Sequence, residues 1–255
     1  ILDFENLTKD NIYVLESPIL SNSQFEKFTV FFKDSIKVLD CTFDTQTNLK
    51  KRLDQLRSEA EIAIREGCKH LILSDKNISD KKAAIPMILA FGAINSRLVD
   101  LGIRGFASIG VQTGEVLDTH SFAVLLGIGA TIINPYLVFD SIYQRYEKKL
   151  FGKLSYDQCI QRYIKSVDNG LLKIMSKMGI SVLSSYRGGC NFEAVGLSRA
   201  IVSEYFPGMI SRISGIGIYG IEKKVKELHK KAFQKNISIL PIGGIYKYRK
   251  NGENH

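Results

Sequence analysis

The chain has 255 residues, of which 45% are hydrophobic and 24% are charged, and its formal net charge is +9. This length and apolar content suffice for one large domain or two small ones around a buried core, which excludes a disordered chain. No window contains the ~18 apolar residues of a membrane span, and the first ten residues lack the basic-then-apolar pattern of a secretory signal, so we expect a cytoplasmic protein.

Cysteine and histidine spacing gives no sign of a metal site. The four cysteines are too widely separated for a CxxC pair, and the four histidines are equally dispersed. Scattered thiols in a chain of this length are typical of a reducing compartment. We therefore expect neither a disulfide nor a zinc site among Cys41, Cys68, Cys159 and Cys190.

The positive charge leaves a nucleic-acid or other anionic partner open, because 35 Lys and Arg residues outnumber 26 Asp and Glu residues. The excess is concentrated in 222–233, where bases alternate with acids at the spacing of a solvated helix face, and in 246–250. Only Tyr246 and Tyr248 interleave with basic residues as stacking aromatics would. We favour a solvated surface and expect no steeply salt-dependent binding to a nucleic acid.

The first half of the chain alternates apolar strand-like runs with amphipathic helices. The run 36–43 precedes a helix over 47–66 whose apolar positions follow a four-three spacing. Three more strands are predicted over 70–75, 106–114 and 130–137, and helices from Pro86 to about 102 and over 119–130 lie between them. Strand starts a few tens of residues apart fit right-handed crossovers, so the sheet should be parallel and covered by helices.

Polar side chains gather where these strands end. The carboxyl ends of parallel strands form the functional edge of an α/β fold. We expect this edge to carry Asp40, Thr42, Ser74, Asp75, Gln112, Glu115 and Asn134.

The second half follows a different pattern. A single helix is predicted over 155–178, with a Met and aromatic stripe that indicates core packing, and Gly179 ends it. The run 180–184 is predicted as a strand, 186–191 as a turn, and a helix is expected near 198–205. A glycine-punctuated strand over 211–218 and the basic helix follow. The last residues have no stop-like cap and the chain begins without Met, so we expect the chain to be a piece of something longer.

No motif here identifies a reaction. Cys190 has no base beside it in the sequence, Arg187 is typical of an ion pair, and Glu193 is typical of a helix amino terminus. The glycines of GIGAT and GGIY do not reproduce the GxGxxG pattern of a dinucleotide site.

Several long blocks in order carry a family resemblance. The blocks are LLKIMSKMGISVLSSYRGG, NFEAVGL, EYFPGMISRISGIG, LGIGATIINPYL and GGIYKYRKNGENH. From ILDFENL to its last residue, the chain resembles the central region of the large subunit of glutamate synthase, which links the glutamine amidotransferase domain to the FMN-binding synthase domain.

The resemblance implies a fold and a function. It implies a parallel α/β domain that is a reduced, incomplete flavin-type (TIM) barrel, with an extended C-terminal segment. Residues 1–180 would form the linking domain, and residues 181–255 would continue this domain into the start of the synthase region. The parent enzyme would make two glutamates from glutamine and 2-oxoglutarate, using FMN, an iron-sulfur cluster and electrons from a small subunit or ferredoxin. The chain itself would bind neither FMN nor iron and would be inactive alone.

Candidate site residues follow from the same resemblance. An internal passage for ammonia implies part of its wall at the carboxyl edge of the strands, with Thr42 as first candidate and Ser74 and Asn134 after it. An interface with the synthase domain implies a role for Tyr186, Arg187, Gly188, Gly189 and Glu193. Many family members have Ala-Gln-Ile at positions 189–191, so we expect the backbone of this turn to matter more than its side chains.

Two hypotheses of different class remain. The first is a non-catalytic linking domain of glutamate synthase, and the second is an independent basic α/β module that binds a nucleic acid or another anionic partner. Thr42 itself has a simpler interpretation, that it caps the helix after Phe43.

Overall fold

The structure, a computed structural model, describes residues 13–234. In chain order, the first half contains α1 (Asn22–Phe31), β1 (Ile36–Asp40), β2 (Thr42–Asp44), α2 (Leu49–Arg65), β3 (His70–Ser74), β4 (Lys82–Ala84), α3 (Met87–Asp100), β5 (Ser108–Gln112), α4 (Thr119–Gly127), β6 (Ile132–Asn134) and α5 (Tyr136–Glu147).

The central sheet has four parallel strands in the order β1-β3-β5-β6. A helix follows each strand, so the predicted parallel α/β architecture is confirmed. Across residues 13–234 the strands form an open sheet and no closed barrel.

Helix α2 shows how the sequence pattern produces the fold. Asn48 begins the helix by accepting the Lys50 amide hydrogen at 2.8 Å. The five positions of the predicted stripe are all buried, and each large aliphatic side chain removed from water contributes roughly 1.5–3 kcal/mol. This stripe consists of Leu49, Leu53, Leu56, Ala60 and Ala63.

The two faces of the sheet are covered differently. Helices α2, α3 and α4 contribute to the main core with alternate strand residues such as Leu71 and Leu73. On the opposite face Ile72 and Ile132 form a second cluster with Leu20 and two α1 phenylalanines. A Cβ at Gly110 would lie 2.7 Å from Ile72 and 2.8 Å from Ile132, so only glycine fits between these strands.

The predicted strand over 36–43 is interrupted at Cys41. β1 ends at Asp40, and β2 turns away to pair antiparallel with β4, where Thr42 faces Ala84. The backbone of Cys41 bridges the two arrangements, because its amide donates to Ser74 O at 2.7 Å and its carbonyl accepts from the Ile85 amide at 2.9 Å. No local pattern in the sequence indicates this antiparallel pair, since an apolar run does not show which strand it pairs with.

The second half contains α6 (Tyr156–Lys177), α7 (Leu183–Tyr186), β7 (Glu193–Leu197), α8 (Arg199–Tyr205), β8 (Ile210–Ile216) and α9 (Ile218–Ala232). The long helix is confirmed: Ser155 and Gln158 form a capping box, and Gly179, at φ +70°, follows its end. Most of the predicted stripe is buried or partly buried, and Met178 is 42% exposed at the helix end.

The prediction of a strand over 180–184 is wrong. Val182 is exposed, and the short helix α7 carries Tyr186 into the core, where its hydroxyl donates to Ala123 O at 3.2 Å. The tertiary contact of one aromatic residue therefore outweighs the weak strand preference of a five-residue run. A strand forms instead at β7, which pairs in parallel with β8.

The main core extends past residue 180, because it includes Tyr186, Ala194 and Ile201. The boundary between 1–180 and 181–255 stays a prediction. Within the described range no helix is long and apolar enough to cross a membrane. Tyr246 and Tyr248 lie outside the described residues.

Candidate functional site

The last residues of the four strands lie side by side and form one polar row. Asp40, Ser74, Gln112 and Asn134 are consecutive partners in the sheet register. Ser74 Oγ donates to Gln112 Oε1 at 2.9 Å, and Gln112 Nε2 donates to Asn134 Oδ1 at 3.1 Å. The structure thus brings two predicted residues, Ser74 and Asn134, together through Gln112.

The row continues into the segment before α1. The side-chain amide of Asn134 donates to Leu20 O and to Asn22 Oδ1, both at 3.0 Å. Asn134 is fully buried, so these bonds satisfy a group whose burial would otherwise be costly. The edge is therefore lined from β3 to β6 by uncharged hydrogen-bonding side chains.

Thr42 lies beyond the end of β1, beside the charged end of the row. Its hydroxyl donates to Asp40 Oδ1 at 2.7 Å, and its backbone carbonyl accepts from Arg52 Nε at 3.2 Å. Thr42 is buried and does not cap α2, whose cap is Asn48. The simpler interpretation of Thr42 as a helix cap is therefore wrong, and its place in a passage wall stays a prediction.

Asp40 carries charge at this end of the row. Burial acts to raise the pKa of its carboxyl, but hydrogen bonds from Thr42 and Asn77 and the nearby Lys82 ammonium outweigh it and hold the pKa below its ordinary value. Lys82 Nζ lies 3.5 Å from Asp40 Oδ2. Asp40 is consequently an ionised, partnered carboxylate.

A second polar cluster ties the loops that follow β3, β5 and β6. Asp75 is fully buried, and its two carboxylate oxygens accept from the Gly114 amide at 3.1 Å and from the Thr113 hydroxyl. The Tyr136 hydroxyl faces the same carboxylate. Burial raises the pKa of Asp75, although these donors oppose the shift. Asp75 thus holds three loops at the carboxyl edge.

Glu115, in the loop that follows β5, caps the amino terminus of α3. Pro86 precedes this helix and offers no side-chain cap, and Glu115 Oε2 accepts the Met87 amide hydrogen at 2.7 Å. Burial of the carboxyl, with a smaller contribution from nearby Asp75, raises its pKa to about 7 despite the Met87 bond. Glu115 as a whole residue nevertheless keeps contact with solvent.

This pKa predicts a pH-dependent stability. An ordinary glutamate has a pKa of about 4.3 in the unfolded chain, so the folded state binds more protons between that value and 7, and stability should fall as pH rises through this window. Urea unfolding at pH 5 and pH 7.5 measures this decline in the free energy of unfolding. We expect the decline to be about 1 kcal/mol smaller in Glu115→Gln than in the unsubstituted chain, and the effect is no larger because solvent contact weakens it. An identical decline in both proteins would contradict the assignment.

The five predicted interface residues have different environments. Tyr186 is a core residue, and the Gly188 amide donates to Gly127 O at 2.8 Å, which docks the turn on the end of α4. Gly188 needs glycine's freedom at φ +71°. Glu193 pairs with Arg212 at 3.0 Å on the exposed β7–β8 sheet. Arg187 is half-buried and Gly189 is exposed, so four of the five reach the surface and their interface role stays a prediction.

The chain is similar to known proteins over its whole length. Residues 1–198 match the model of the family described as "Glutamate synthase central domain". The chain belongs to the glutamate synthase central domain family. Its whole length is 48% identical to part of "Glutamate synthase [NADPH] large chain" of Azospirillum brasilense, covering 17% of that protein.

Two further relatives extend the comparison of this central domain. It is 37% identical over 94% of its length to "Glutamate synthase [NADPH] large chain" of Bacillus subtilis, and 37% identical over 94% to "Ferredoxin-dependent glutamate synthase, chloroplastic" of Oryza sativa subsp. japonica. In each case it spans 16% of the relative. The predicted family resemblance is confirmed.

The cysteines of this central domain do not fit an iron-sulfur cluster. Cys41 and Cys159 are buried, while Cys68 and Cys190 lie in separate loops. From residue 13 to residue 234 no three His, Cys, Asp or Glu side chains converge as metal ligands.

Sequence reasoning found part of this edge and missed the rest. It placed Asp75 and Gln112 at strand ends but gave no role to Thr113, Tyr136 or Arg52, whose partners are distant in the chain. Arg52 Nη2 donates to Asp40 O at 2.7 Å. A single sequence shows that such residues are polar, not which loop they meet.

Proposed function

We propose that this chain is the part of a glutamate synthase large chain that links the glutamine amidotransferase domain to the FMN-binding synthase domain and forms part of the wall of an ammonia passage. The observation that carries the proposal is end-to-end similarity to a large chain of which it spans 17%. The parent would convert glutamine and 2-oxoglutarate into two glutamates. This central domain would contribute no catalytic residue.

The chemistry of the carboxyl edge supports a passage there. Ammonia that moves between two sites must be kept from bulk water and from protonation. The row Ser74, Gln112 and Asn134 presents hydroxyl and amide groups without charge, and its members already satisfy one another. These three side chains offer weak hydrogen bonds and no charge, and Asp40, the ionised carboxylate at the other end of the row, is held by Thr42 and Lys82. The one fully buried carboxylate nearby, Asp75, is occupied by its own donors.

The course of the chain also supports this location. Helix α9 lies across the amino end of α2, where Glu222 Oε2 accepts the Leu49 amide hydrogen at 3.0 Å. Towards its end, His229 Nε2 lies 3.1 Å from Asp80 O, in the loop that follows β3. The chain therefore leaves α9 beside the carboxyl edge, which suits an edge that faces the next domain.

The sheet supports the interpretation as a reduced flavin-type barrel. Its strands pair in chain order and a helix follows each one, which is the arrangement of consecutive units in a βα barrel. Helix α1 packs on the face opposite α2, α3 and α4, where a complete barrel would have its interior. In this proposal α1 substitutes for the missing strands.

The partners of the parent are proposed from its relatives. The amidotransferase and FMN-binding domains of the same polypeptide would contact this domain, with Arg187, Gly188, Gly189 and Glu193 at the second interface and Tyr186 anchoring them. The name of the Azospirillum brasilense relative includes NADPH, and the name of the Oryza sativa relative includes ferredoxin. Either a small electron-donating subunit or ferredoxin would thus supply electrons to a cytoplasmic enzyme.

Thr42→Phe in the large chain tests the passage. We expect at least a tenfold loss of glutamine-dependent glutamate synthesis, with glutaminase activity and ammonia-dependent synthesis largely retained, because an aromatic ring would obstruct the passage without touching either active site. Thr42→Val is the control: it removes the hydrogen bond to Asp40 Oδ1 but adds no bulk, and should stay coupled. Retention of the two partial activities also shows that the variant is folded. Full coupling in Thr42→Phe would exclude Thr42 from the wall.

A further inference from the structure

The segment before α1 extends the parallel sheet at its β6 edge. Ile19 forms a parallel bridge with Ile133. The Ile133 amide donates to Pro18 O at 2.8 Å, and the Leu20 amide donates to Ile133 O at 2.9 Å. We call residues 17–20 the strap, because they pair with backbone groups that an open sheet edge would leave free.

The strap also holds one end of the polar row. Leu20 O accepts a hydrogen bond from the side-chain amide of Asn134 at 3.0 Å, and Asn22, two residues beyond the strap, accepts another at the same distance. Asn134 is fully buried, so its amide would be left without acceptors if the strap moved away. The β6 end of the row therefore depends on the position of the strap.

A hydrogen bond to the long helix α6 fastens the start of the strap. Ser17 Oγ donates to Asp168 Oδ1 at 2.8 Å and accepts the Ile19 amide hydrogen at 3.0 Å. A hydroxyl that donates to a carboxylate forms a stronger bond than one between neutral groups. This bond joins the strap to a different part of the core from the part that β6 provides.

The two ends of the strap differ in packing. Ile19 and Leu20 are buried, so the strap has a defined closed position. Ser17 and Asp168 both line two cavities, with volumes of about 460 Å³ and about 560 Å³, and Val14 just before the strap is 83% exposed. Segments with few packing contacts open at a lower free energy than the core.

We propose that the strap is a detachable strand and that the hydrogen bond between Ser17 and Asp168 is its latch. When the latch opens, Leu20 leaves β6 and Asn134 loses its acceptor. The regulatory part of this inference rests on the proposed function, in which the amidotransferase domain precedes this domain. Movements of that domain would then reach the polar row through the strap.

Hydrogen exchange of single amides, in the protein that carries this chain, tests the latch. In Asp168→Ala we expect the Leu20 and Ile133 amides to exchange at least about fivefold faster, because a bond to a charged group in a half-buried position is lost. The Thr131 amide is the internal control. It donates to Ile109 O at 2.8 Å, on the β5 side of β6, and should keep its rate.

Two further variants distinguish the latch from a general loss of stability. Ser17→Thr keeps the hydroxyl and should exchange like the unsubstituted protein. Asp168→Ala should cause no further acceleration in a Ser17→Ala background, because the latch is already absent there. Unchanged rates at Leu20 and Ile133 in Asp168→Ala, or an equal acceleration at Thr131, would overturn the proposal.

The unsubstituted protein provides a test that needs no variant to fold. Leu20 and Ile133 should exchange together, at least about tenfold faster than Leu73 in the central strand β3, because the strap opens without the sheet. Exchange of all three amides at one rate would mean that the strap separates only when the domain unfolds, which contradicts a detachable strand.

Activity of the large chain tests the link to the row. In Asp168→Ala we expect the ratio of glutamine-dependent to ammonia-dependent synthesis to fall at least about twofold, because an open row lets ammonia escape to water. Ser166→Ala, at an exposed position of the same helix, is the control and should keep the ratio. An unchanged ratio in Asp168→Ala would overturn the regulatory part. Thr42→Phe tests the passage itself, so failure of the strap and failure of the passage can be told apart.

Discussion

Replacing Asp75 by Asn is expected to lower the free energy of unfolding by about 2–4 kcal/mol, because an amide group would turn a donor towards groups that already donate. The Gly114 amide and the Thr113 hydroxyl both donate to the present carboxylate. Since Asp75 is fully buried, water cannot replace the lost acceptor. The loops after β3, β5 and β6 would lose their common contact.

Thermal and urea unfolding measure this effect. For a chain of this size the melting temperature should fall by about 5–12 °C. Asp100→Asn is the matched control, because Asp100 is exposed at the end of α3, and its change should stay within about 0.5 kcal/mol. A loss from Asp75→Asn no larger than that of the control would show that the carboxylate does not hold the loops together.

Gly215→Ala should destabilise the chain by about 1–3 kcal/mol or more, because the new methyl group would collide with the neighbouring strand. A Cβ at this position would lie 2.1 Å from Gly196 O and 2.5 Å from Gly196 C. Both are backbone atoms of β7, so no side-chain rotation relieves the clash. The β7–β8 pairing must open for alanine to fit.

The matched control is Gly105→Ala, at a position where a Cβ would meet nothing within 4 Å. Hydrogen exchange of β7 and β8 amides should accelerate in Gly215→Ala and remain unchanged in the control, with the parallel sheet protected in both. Wild-type exchange in β7 and β8 would show that the strands have room to separate and that this glycine is not required there.

Local pattern alone determined the βα alternation and the long helix. Leu49, Leu53 and Leu56 recur at the spacing that places them on one helix face, and their burial follows from the hydrophobic effect whatever lies opposite. The parallel sheet followed as well, because strands separated by helices can return only through crossovers. The polar ends Ser74 and Asn134 were correctly placed at one edge by the same argument.

Tertiary structure decided the features whose partners are far apart in the chain. Asp75 meets Thr113 across 38 residues, and Asn134 meets Leu20 across 114, so no local pattern indicates either contact. The run 180–184 became helical towards its end because Tyr186 finds a buried place beside Ala123. β2 left the sheet because β4 offered it an antiparallel partner. The intrinsic helix or strand propensity of a short segment is worth less free energy than one such tertiary contact, and these contacts exist only in the folded chain.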